Sequence, residues 1–251
     1  MADAQPRNNQ QPGGAPAPAP RSFGRWAWEW VKSIAVALVI WFVLRALLVE
    51  VFRIPSSSME RTLLVGDFLF VNKALYGAEV PLPFIHARLP AIREPRLQDI
   101  VVFDSKTQEN VKVVKRIVGM PGDTIEMRDN VLFRNSEPQR EEYTEHVDST
   151  SDPADPEMRA WQLEYLLTDV DREAYRPTRG NWGPLIVPSG QYFVMGDNRD
   201  NSYDSRYWGF VDRRTIRGRP LIVYYSYDRD SWKALPPITA IRWERIGTHP
   251  H

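Results

Sequence analysis

The sequence predicts a mainly β protein that carries one apolar helix near its N-terminus. From residue 60 onward, short runs of β-branched and aromatic residues alternate with turn residues, which is typical of strands. Nine Trp, ten Tyr and ten Phe favour strands over long helices, and 21 prolines and 14 glycines among 251 residues indicate many turns. A chain of this length is expected to form one or two domains.

Two segments come before the β region. Residues 1–24 are rich in Pro, Ala, Gln and Gly, and they cannot bury enough apolar surface to offset the entropy of ordering, so we expect a disordered cytoplasmic tail. Residues 25–52 are predicted to form a transmembrane signal-anchor helix. Ser33–Val49 contains 17 residues and one charge, on Arg45. As a helix this stretch spans about 25 Å, near the lower limit for crossing the hydrocarbon, with the Arg45 side chain reaching the interface.

The residues beside this helix predict its orientation. An interfacial aromatic belt is expected from Trp26, Trp28 and Trp30, and a cytoplasmic N-terminus is expected from the basic residues Arg7, Arg21, Arg25 and Lys32. The rest of the chain then lies outside the cytoplasm. The alternative is a cleaved secretory signal. Two observations argue against it: the tail before the apolar stretch is long for the start of a signal peptide, and Ile54-Pro55 stands where a cleavage site with small residues would be expected.

Seven runs are predicted to be strands: Phe68–Asn72, Asp99–Phe103, Val111–Val118, Thr124–Met127, Val131–Phe133, Gln191–Met195 and Leu221–Tyr227. Asp129-Asn130, between two of them, is expected to form a hairpin turn. Residues 134–187 are acidic and contain prolines, with a short helical pattern at Glu157–Val170. We interpret them as a small inserted subdomain on a β body made of residues 53–133 and 188–251.

Composition excludes several classes of function. The 32 Lys and Arg residues balance 32 Asp and Glu, so the chain lacks the basic excess of a nucleic-acid binder. Because there is no cysteine, disulfides, cysteine nucleophiles and thiolate zinc sites are excluded. The four histidines, His86, His146, His249 and His251, form no H-E-x-x-H pattern. We therefore expect neither a metal site nor a cofactor.

Three consecutive serines in Ile54–Met59 follow the apolar stretch directly. Such a run is ordinarily a solvated linker or a helix cap. A nucleophilic serine needs a base, and no histidine stands in a recognisable triad context.

A candidate base lies in the predicted strand Val111–Val118. With a period of two, Lys115 is the only polar residue on the face that it shares with Val111, Val113 and Ile117. A lysine held against apolar surface has a lowered pKa, and its neutral amine can act as a base near neutral pH. The ordinary alternative is a lysine whose stem covers the sheet edge while its ammonium reaches solvent.

The segment Gly196–Gly209 is dense in Asp, Asn, Ser and Arg. Counted from Asp200, its sixth position is Ser205 and its twelfth is Val211, where an EF-hand has Gly and Glu. We expect a rigid loop that is cross-linked by Asp–Arg pairs and holds neighbouring groups in place. The alternative is a turn with a structural role alone.

Together these segments resemble those of bacterial type I signal peptidases, membrane-bound serine proteases with a Ser-Lys dyad. The matching segments follow one another in order along the chain: Pro55–Met59 with Thr62–Asp67, Asp99–Phe103, Lys115–Asp123 and Gly196–Phe210. Arg61 stands where the family usually has proline. It lies three residues past the expected nucleophile, so it is expected to alter local rigidity without removing a reacting group.

The resemblance implies a role for each of several residues. Ser58 is the nucleophile and Lys115 the general base; the Ser56 hydroxyl and the Ser58 backbone N–H form the oxyanion hole, and Ser202 orients Lys115. The residues expected to support this site are Asp204, Arg206, Arg116, Gly196 and Asp197. The residues expected to line the substrate pockets are Phe52, Ile54, Pro55 and Leu63.

The resemblance also implies a fold, a substrate class and a location. The fold is expected to consist of coiled antiparallel sheets that form a partly closed, barrel-like catalytic body. The substrates are exported preproteins whose signal peptides carry small residues, often alanine, at the first and third positions before the cut. The protein is expected to span the bacterial inner membrane once, with its catalytic domain on the periplasmic face. Its other expected partners are membrane lipid and the protein-export machinery. No nucleic-acid partner is expected.

Three alternatives remain at this point. A self-cleaving repressor of related β fold would need a DNA-binding domain, which the first 50 residues do not offer. A non-enzymatic, membrane-anchored β-domain would leave Lys115 with an ordinary pKa. A Ser-His-Asp hydrolase would use His86 or His146.

Overall fold

The computed structural model describes residues 23–79, 87–145 and 152–251. It divides into two units, residues 1–42 and 43–251. The helices are α1 (Phe23–Leu47), α2 (Pro156–Tyr165), α3 (Ser205–Trp208) and α4 (Pro236–Thr239). The strands are β1 (Val49–Arg53), β2 (Asp67–Asn72), β3 (Ile100–Asp104), β4 (Lys112–Gly119), β5 (Thr124–Arg128), β6 (Val131–Arg134), β7 (Glu137–Pro138), β8 (Trp182–Ile186), β9 (Gln191–Met195), β10 (Val211–Asp212) and β11 (Ile216–Ser226).

The helix α1 is long and apolar enough between Phe23 and Val43 to cross a membrane. Its large apolar side chains from Val31 to Phe42 are exposed. The helix ends at Leu47, earlier than the predicted end at residue 52. Residues Val49–Arg53 form β1 instead, because every one of them pairs with β2. The predicted disordered tail lies almost wholly outside the described residues.

A seven-stranded antiparallel sheet forms the body, in the order β1-β2-β11-β3-β4-β9-β10. The long strand β11 pairs with β3 near its start and with β2 over the rest of its length. Its register shifts at bulges along the way, and bulges bend a strand and increase its twist. The sheet curls into a half-barrel, which confirms the predicted mainly β class.

Adjacent residues of the central strands face different hydrophobic clusters. On β3, Ile100 and Val102 pack in one cluster, whereas Val101 and Phe103 pack in another. This follows from the two-residue period of a strand that is buried on both faces. On the neighbouring β4, Lys115 pairs with Val101. Lys115 therefore lies on the opposite face of β4 from Val114 and Arg116, as the sequence pattern predicts.

A second sheet of four antiparallel strands has the order β7-β6-β5-β8. The predicted turn Asp129-Asn130 joins β5 to β6, and both residues have positive φ, 49° and 63°, as a type I′ hairpin turn requires. This sheet begins at Thr124, ten residues before the predicted insertion, because Trp182–Ile186 returns to pair with β5. The sequence did not predict β8, whose proline, Pro184, is tolerated because β8 is an edge strand.

The helix α2 begins where the side chain of Asp155 accepts a hydrogen bond from the Met158 N–H. It ends at Tyr165, five residues before the predicted end at Val170. Leu166 is extended and forms a bridge with Leu185 of β8, which ends the helix. The second sheet and α2 share a hydrophobic core with the large sheet through β9.

Candidate active site

Ser58 lies in a single 3-10 turn, Ser57–Met59, four residues after β1 ends. The side chain of Met59 is buried in the cluster beneath this turn. The backbone carbonyl of Ser58 accepts a hydrogen bond from the Asn198 N–H at 3.2 Å. The turn is thus tied to the 196–206 loop as well as to the core, which fixes the position of the Ser58 hydroxyl.

Lys115 projects from the middle of β4 and is only 3% exposed. Its Nζ donates a hydrogen bond to Ser58 Oγ at 2.5 Å. Burial lowers the pKa of Lys115 to about 8, although the nearby Asp204 carboxylate acts in the opposite direction. The structure therefore brings together the two residues that the sequence singled out as nucleophile and base, and it makes the amine partly neutral near neutral pH.

Ser56 stands just before the turn, with its Oγ 3.5 Å from Ser58 Oγ. Its backbone is extended and its side chain is exposed. Ser202 is buried, and its hydroxyl has no hydrogen-bond partner of ordinary geometry among the described residues. The expected hydrogen bond from Ser202 to Lys115 is thus not formed in this structure. The Ser202 hydroxyl instead lies near Asp204 and favours its ionised form.

The 196–206 loop packs its backbone directly against the nucleophile. A Cβ on Gly196 would lie 2.4 Å from the Ser58 carbonyl oxygen and 2.3 Å from Ser202 Oγ, so only glycine fits there. The Gly196 N–H donates to Asp204 Oδ2 at 3.0 Å, and Arg206 Nε donates to Asp204 Oδ1 at 2.9 Å. Burial alone raises the pKa of Asp204, but Arg206 and the Gly196 N–H hold this pKa below its ordinary value.

A second buried ion pair joins β4 to the same loop. Arg116 donates to both carboxylate oxygens of Asp197, from Nε at 2.8 Å and from Nη2 at 2.7 Å. Thr62 Oγ1 donates to Asp197 Oδ2 at 2.6 Å, and the Arg116 guanidinium lies 3.8 Å from the ring centre of Tyr143. Sequence reasoning assigned no role to Thr62 or Tyr143. Thr62 lies in a matched motif, whereas no signal marked Tyr143.

An apolar cavity of about 270 Å³ opens beside Ser58. Three of the residues expected to bind substrate line it, Phe52, Ile54 and Pro55. The fourth, Leu63, is not among the residues that line it, and its role in substrate binding stays a prediction. Leu63 is fully buried in the core, because its N–H bonds back to the Met59 carbonyl and turns the chain inward.

Arg61 has φ of +81°, and its guanidinium donates to the Thr144 carbonyl at 2.7 Å. Proline cannot adopt this φ, because its ring holds φ near −65°. The residue that departs from the family pattern therefore has a backbone conformation that the usual proline could not share.

The histidine alternative finds no support within the described residues. His86 and His146 lie outside them. The rings of His249 and His251 contact the backbone carbonyls of Leu221 and His249. The described side-chain partners of the Ser58 hydroxyl are Lys115 and Ser56.

Comparisons with known proteins identify a family for this chain. The family model described as signal peptidase, peptidase S26, matches residues 27–225. The chain is 36% identical to the signal peptidase I of Pseudomonas aeruginosa, over 85% of this chain and 78% of that protein. It is 33% identical to the signal peptidase I of Bacillus licheniformis, over 80% of this chain and 89% of that protein.

Among solved structures, a crystal structure of a signal peptidase I from Enterococcus faecalis is 31% identical, with a TM-score of 0.34. The match covers 51% of this chain and 98% of that one. The family model alone spans well over half of the chain. The chain therefore belongs to the signal peptidase family, peptidase S26, and is a peptidase of signal-peptide processing.

Proposed function

We propose that this peptidase removes signal peptides from exported preproteins with a Ser58–Lys115 dyad and cuts after sites of Ala-x-Ala type. One observation carries the proposal. The buried Lys115 amine, whose pKa is lowered to about 8 by desolvation, lies 2.5 Å from the Ser58 hydroxyl. A serine hydroxyl is a weak nucleophile until a base takes its proton, and a desolvated lysine can be that base.

In the proposed reaction, neutral Lys115 takes the proton of Ser58 while Ser58 Oγ bonds to the carbonyl carbon before the cut. Negative charge then develops on the carbonyl oxygen, where the Ser56 hydroxyl and the Ser58 N–H stabilise it. The protonated Lys115 next gives its proton to the leaving amine as the C–N bond breaks. A water molecule, deprotonated by the same lysine, hydrolyses the acyl-enzyme. Ser202, whose buried hydroxyl has no hydrogen-bond partner of ordinary geometry among the described residues, is the proposed positioning residue for the ammonium form.

The preference for uncharged aliphatic residues before the cut is supported by the apolar cavity. Its walls include the apolar side chains of Phe52 and Ile54, which suit aliphatic side chains. The neighbouring strand β1 is at the edge of the large sheet. An extended peptide that adds along such an edge places alternate side chains on one side, which fits small residues at the first and third positions.

The proposed location is the bacterial inner membrane. The exposed apolar helix α1 anchors the chain as a single pass, with its N-terminus in the cytoplasm and the catalytic body on the periplasmic face. Membrane lipid and the protein-export machinery are the other proposed partners. The catalytic domain is proposed to comprise residues 53–133 and 188–251, with residues 134–187 as its insertion.

The test is cleavage of a preprotein with an Ala-x-Ala site by the detergent-solubilised full chain and by Ser58→Ala and Lys115→Ala. Ser57→Ala and Lys233→Ala are matched controls that alter a neighbouring serine and an exposed lysine. Cleavage by wild type and both controls, but by neither dyad variant, is the expected result. Circular dichroism verifies that each variant is folded. Activity that survives in a folded Lys115→Ala protein would exclude the dyad.

A further inference from the structure

Two cavities meet at the nucleophile. Besides the apolar cavity, a second one of about 300 Å³ also opens at Ser58. Ser56 and Ser58 line both. Lys115 lines the second cavity and does not line the first.

Because Lys115 lines only one of the two cavities, the direction in which the peptide binds across Ser58 can be inferred. The amine that leaves when the C–N bond breaks must receive a proton from Lys115 Nζ, so it must lie on the side where Nζ is accessible. That side is the second cavity. The residues before the cut occupy the apolar cavity in the proposed function, and the residues after the cut therefore enter the second one.

The lining of the second cavity differs in chemistry from that of the first. Polar side chains of Ser105, Thr107 and Asn201 line it, and the aromatic ring of Trp208 forms one wall. Two lysines, Lys106 and Lys115, are among its lining residues, and none of the described lining residues carries a carboxylate.

Lys106 is the cation at the mouth of this cavity. Its Nζ donates to the Trp208 carbonyl at 3.1 Å and lies 5.9 Å from the centre of the Trp208 ring. Within the described part of the chain, no carboxylate lies at ion-pair distance from it. In the apolar cavity, by contrast, the lining lysine Lys112 is paired with Glu50. Lys106 thus remains available to an anionic group of a bound molecule.

We infer that the second cavity binds the first two residues of the mature protein, and that Lys106 favours an acidic side chain among them. This inference rests on the proposed Ser58–Lys115 reaction, because that reaction sets the direction of the peptide. An acidic side chain here would form an ion pair near the surface, and a basic one would be repelled. Ion pairs of this kind change an equilibrium about two- to fivefold.

The test uses preproteins that differ only at the first or the second residue after the cut, which is Glu, Gln or Lys. For wild type, we expect kcat/KM to be about two- to fivefold higher with Glu than with Lys, with the difference mainly in KM because the ion pair forms in the bound ground state. Lys106→Glu should reverse the order, and Lys106→Gln should remove it. Lys233→Gln is the matched control, since Lys233 is also an exposed lysine that donates to a backbone carbonyl. It should keep the wild-type order.

The outcomes separate this inference from the function on which it rests. If wild type cleaves the Gln substrate but Lys106→Glu keeps the wild-type order of Glu over Lys, the inference is wrong while the function stands. If Lys106→Glu changes the cleavage of a substrate with Glu two residues before the cut, the direction of the peptide is wrong. If wild type cleaves none of the substrates, the proposed function fails and this inference fails with it.

Discussion

The lowered pKa of Lys115 predicts a specific dependence of activity on pH. Only the neutral amine can accept the proton of Ser58, and desolvation places the pKa at about 8. At pH 8 about half of the Lys115 side chains are neutral, at pH 7 about a tenth, and at pH 6 about a hundredth. We therefore expect kcat/KM for one preprotein to fall about fivefold from pH 8 to pH 7 and about fiftyfold from pH 8 to pH 6.

The assay is kcat/KM for the detergent-solubilised full chain between pH 5.5 and 9.5, with circular dichroism to verify folding at each pH. The Asp204 carboxylate favours the charged form of Lys115 and Arg206 opposes it. Asp204→Asn removes the favourable charge and leaves the opposing one, so its profile should move to lower pH. A midpoint near 6.5 in the wild type would indicate a histidine base instead. A midpoint near 10.5 would mean that burial does not perturb Lys115, and either result would refute the reasoning.

Three further predictions concern groups around the dyad. Ser56→Ala should lower kcat by about 10²- to 10³-fold with little change in stability, as expected for the loss of one oxyanion donor. Asp197→Asn should lower the free energy of unfolding by about 3–5 kcal/mol, measured by urea denaturation, because it leaves the buried Arg116 charge without its carboxylate. Glu141→Gln should lower kcat more than it raises KM, because Glu141 binds the buried Arg199 of the 196–206 loop through both carboxylate oxygens, at 2.6 and 2.7 Å.

Each of these three predictions has a result that would contradict it. Equal kcat in Ser56→Ala would remove Ser56 from the oxyanion hole. An unfolding midpoint of Asp197→Asn equal to that of wild type would show that the ion pair contributes no net stability. The matched control for Glu141→Gln is Glu142→Gln, because Glu142 is exposed and pairs with the exposed Arg140. Equal effects of the two variants would exclude a specific link between Glu141 and the loop.

The sequence predicted the parts of the protein in which local pattern and tertiary structure agree. The alternation on β4 correctly placed Lys115 among apolar residues, because a strand that is buried on both faces keeps its two-residue period. The end of α1 was not predictable from apolar composition, since Val49–Arg53 is a strand only because β2 pairs with it. The full burial of Leu63 was not predictable for the same kind of reason. Its direction depends on a turn that composition does not reveal.

The side chains of Lys115 and Arg116 point to opposite faces of β4, and this makes the site sensitive to the register of the strand. These two neighbours carry the same formal charge, but one is held where it can lose its proton and the other where it is paired with Asp197. Arginine cannot be deprotonated in a protein, so it cannot serve as the base. A slip of one residue would move both side chains to the opposite faces, and it would place either the Arg116 guanidinium or the Val114 side chain beside Ser58. Inserting or deleting one residue within β4 itself, ahead of Lys115, is therefore expected to be more damaging than a single substitution in the 105–111 loop, where a change of length need not alter the pairing of β4.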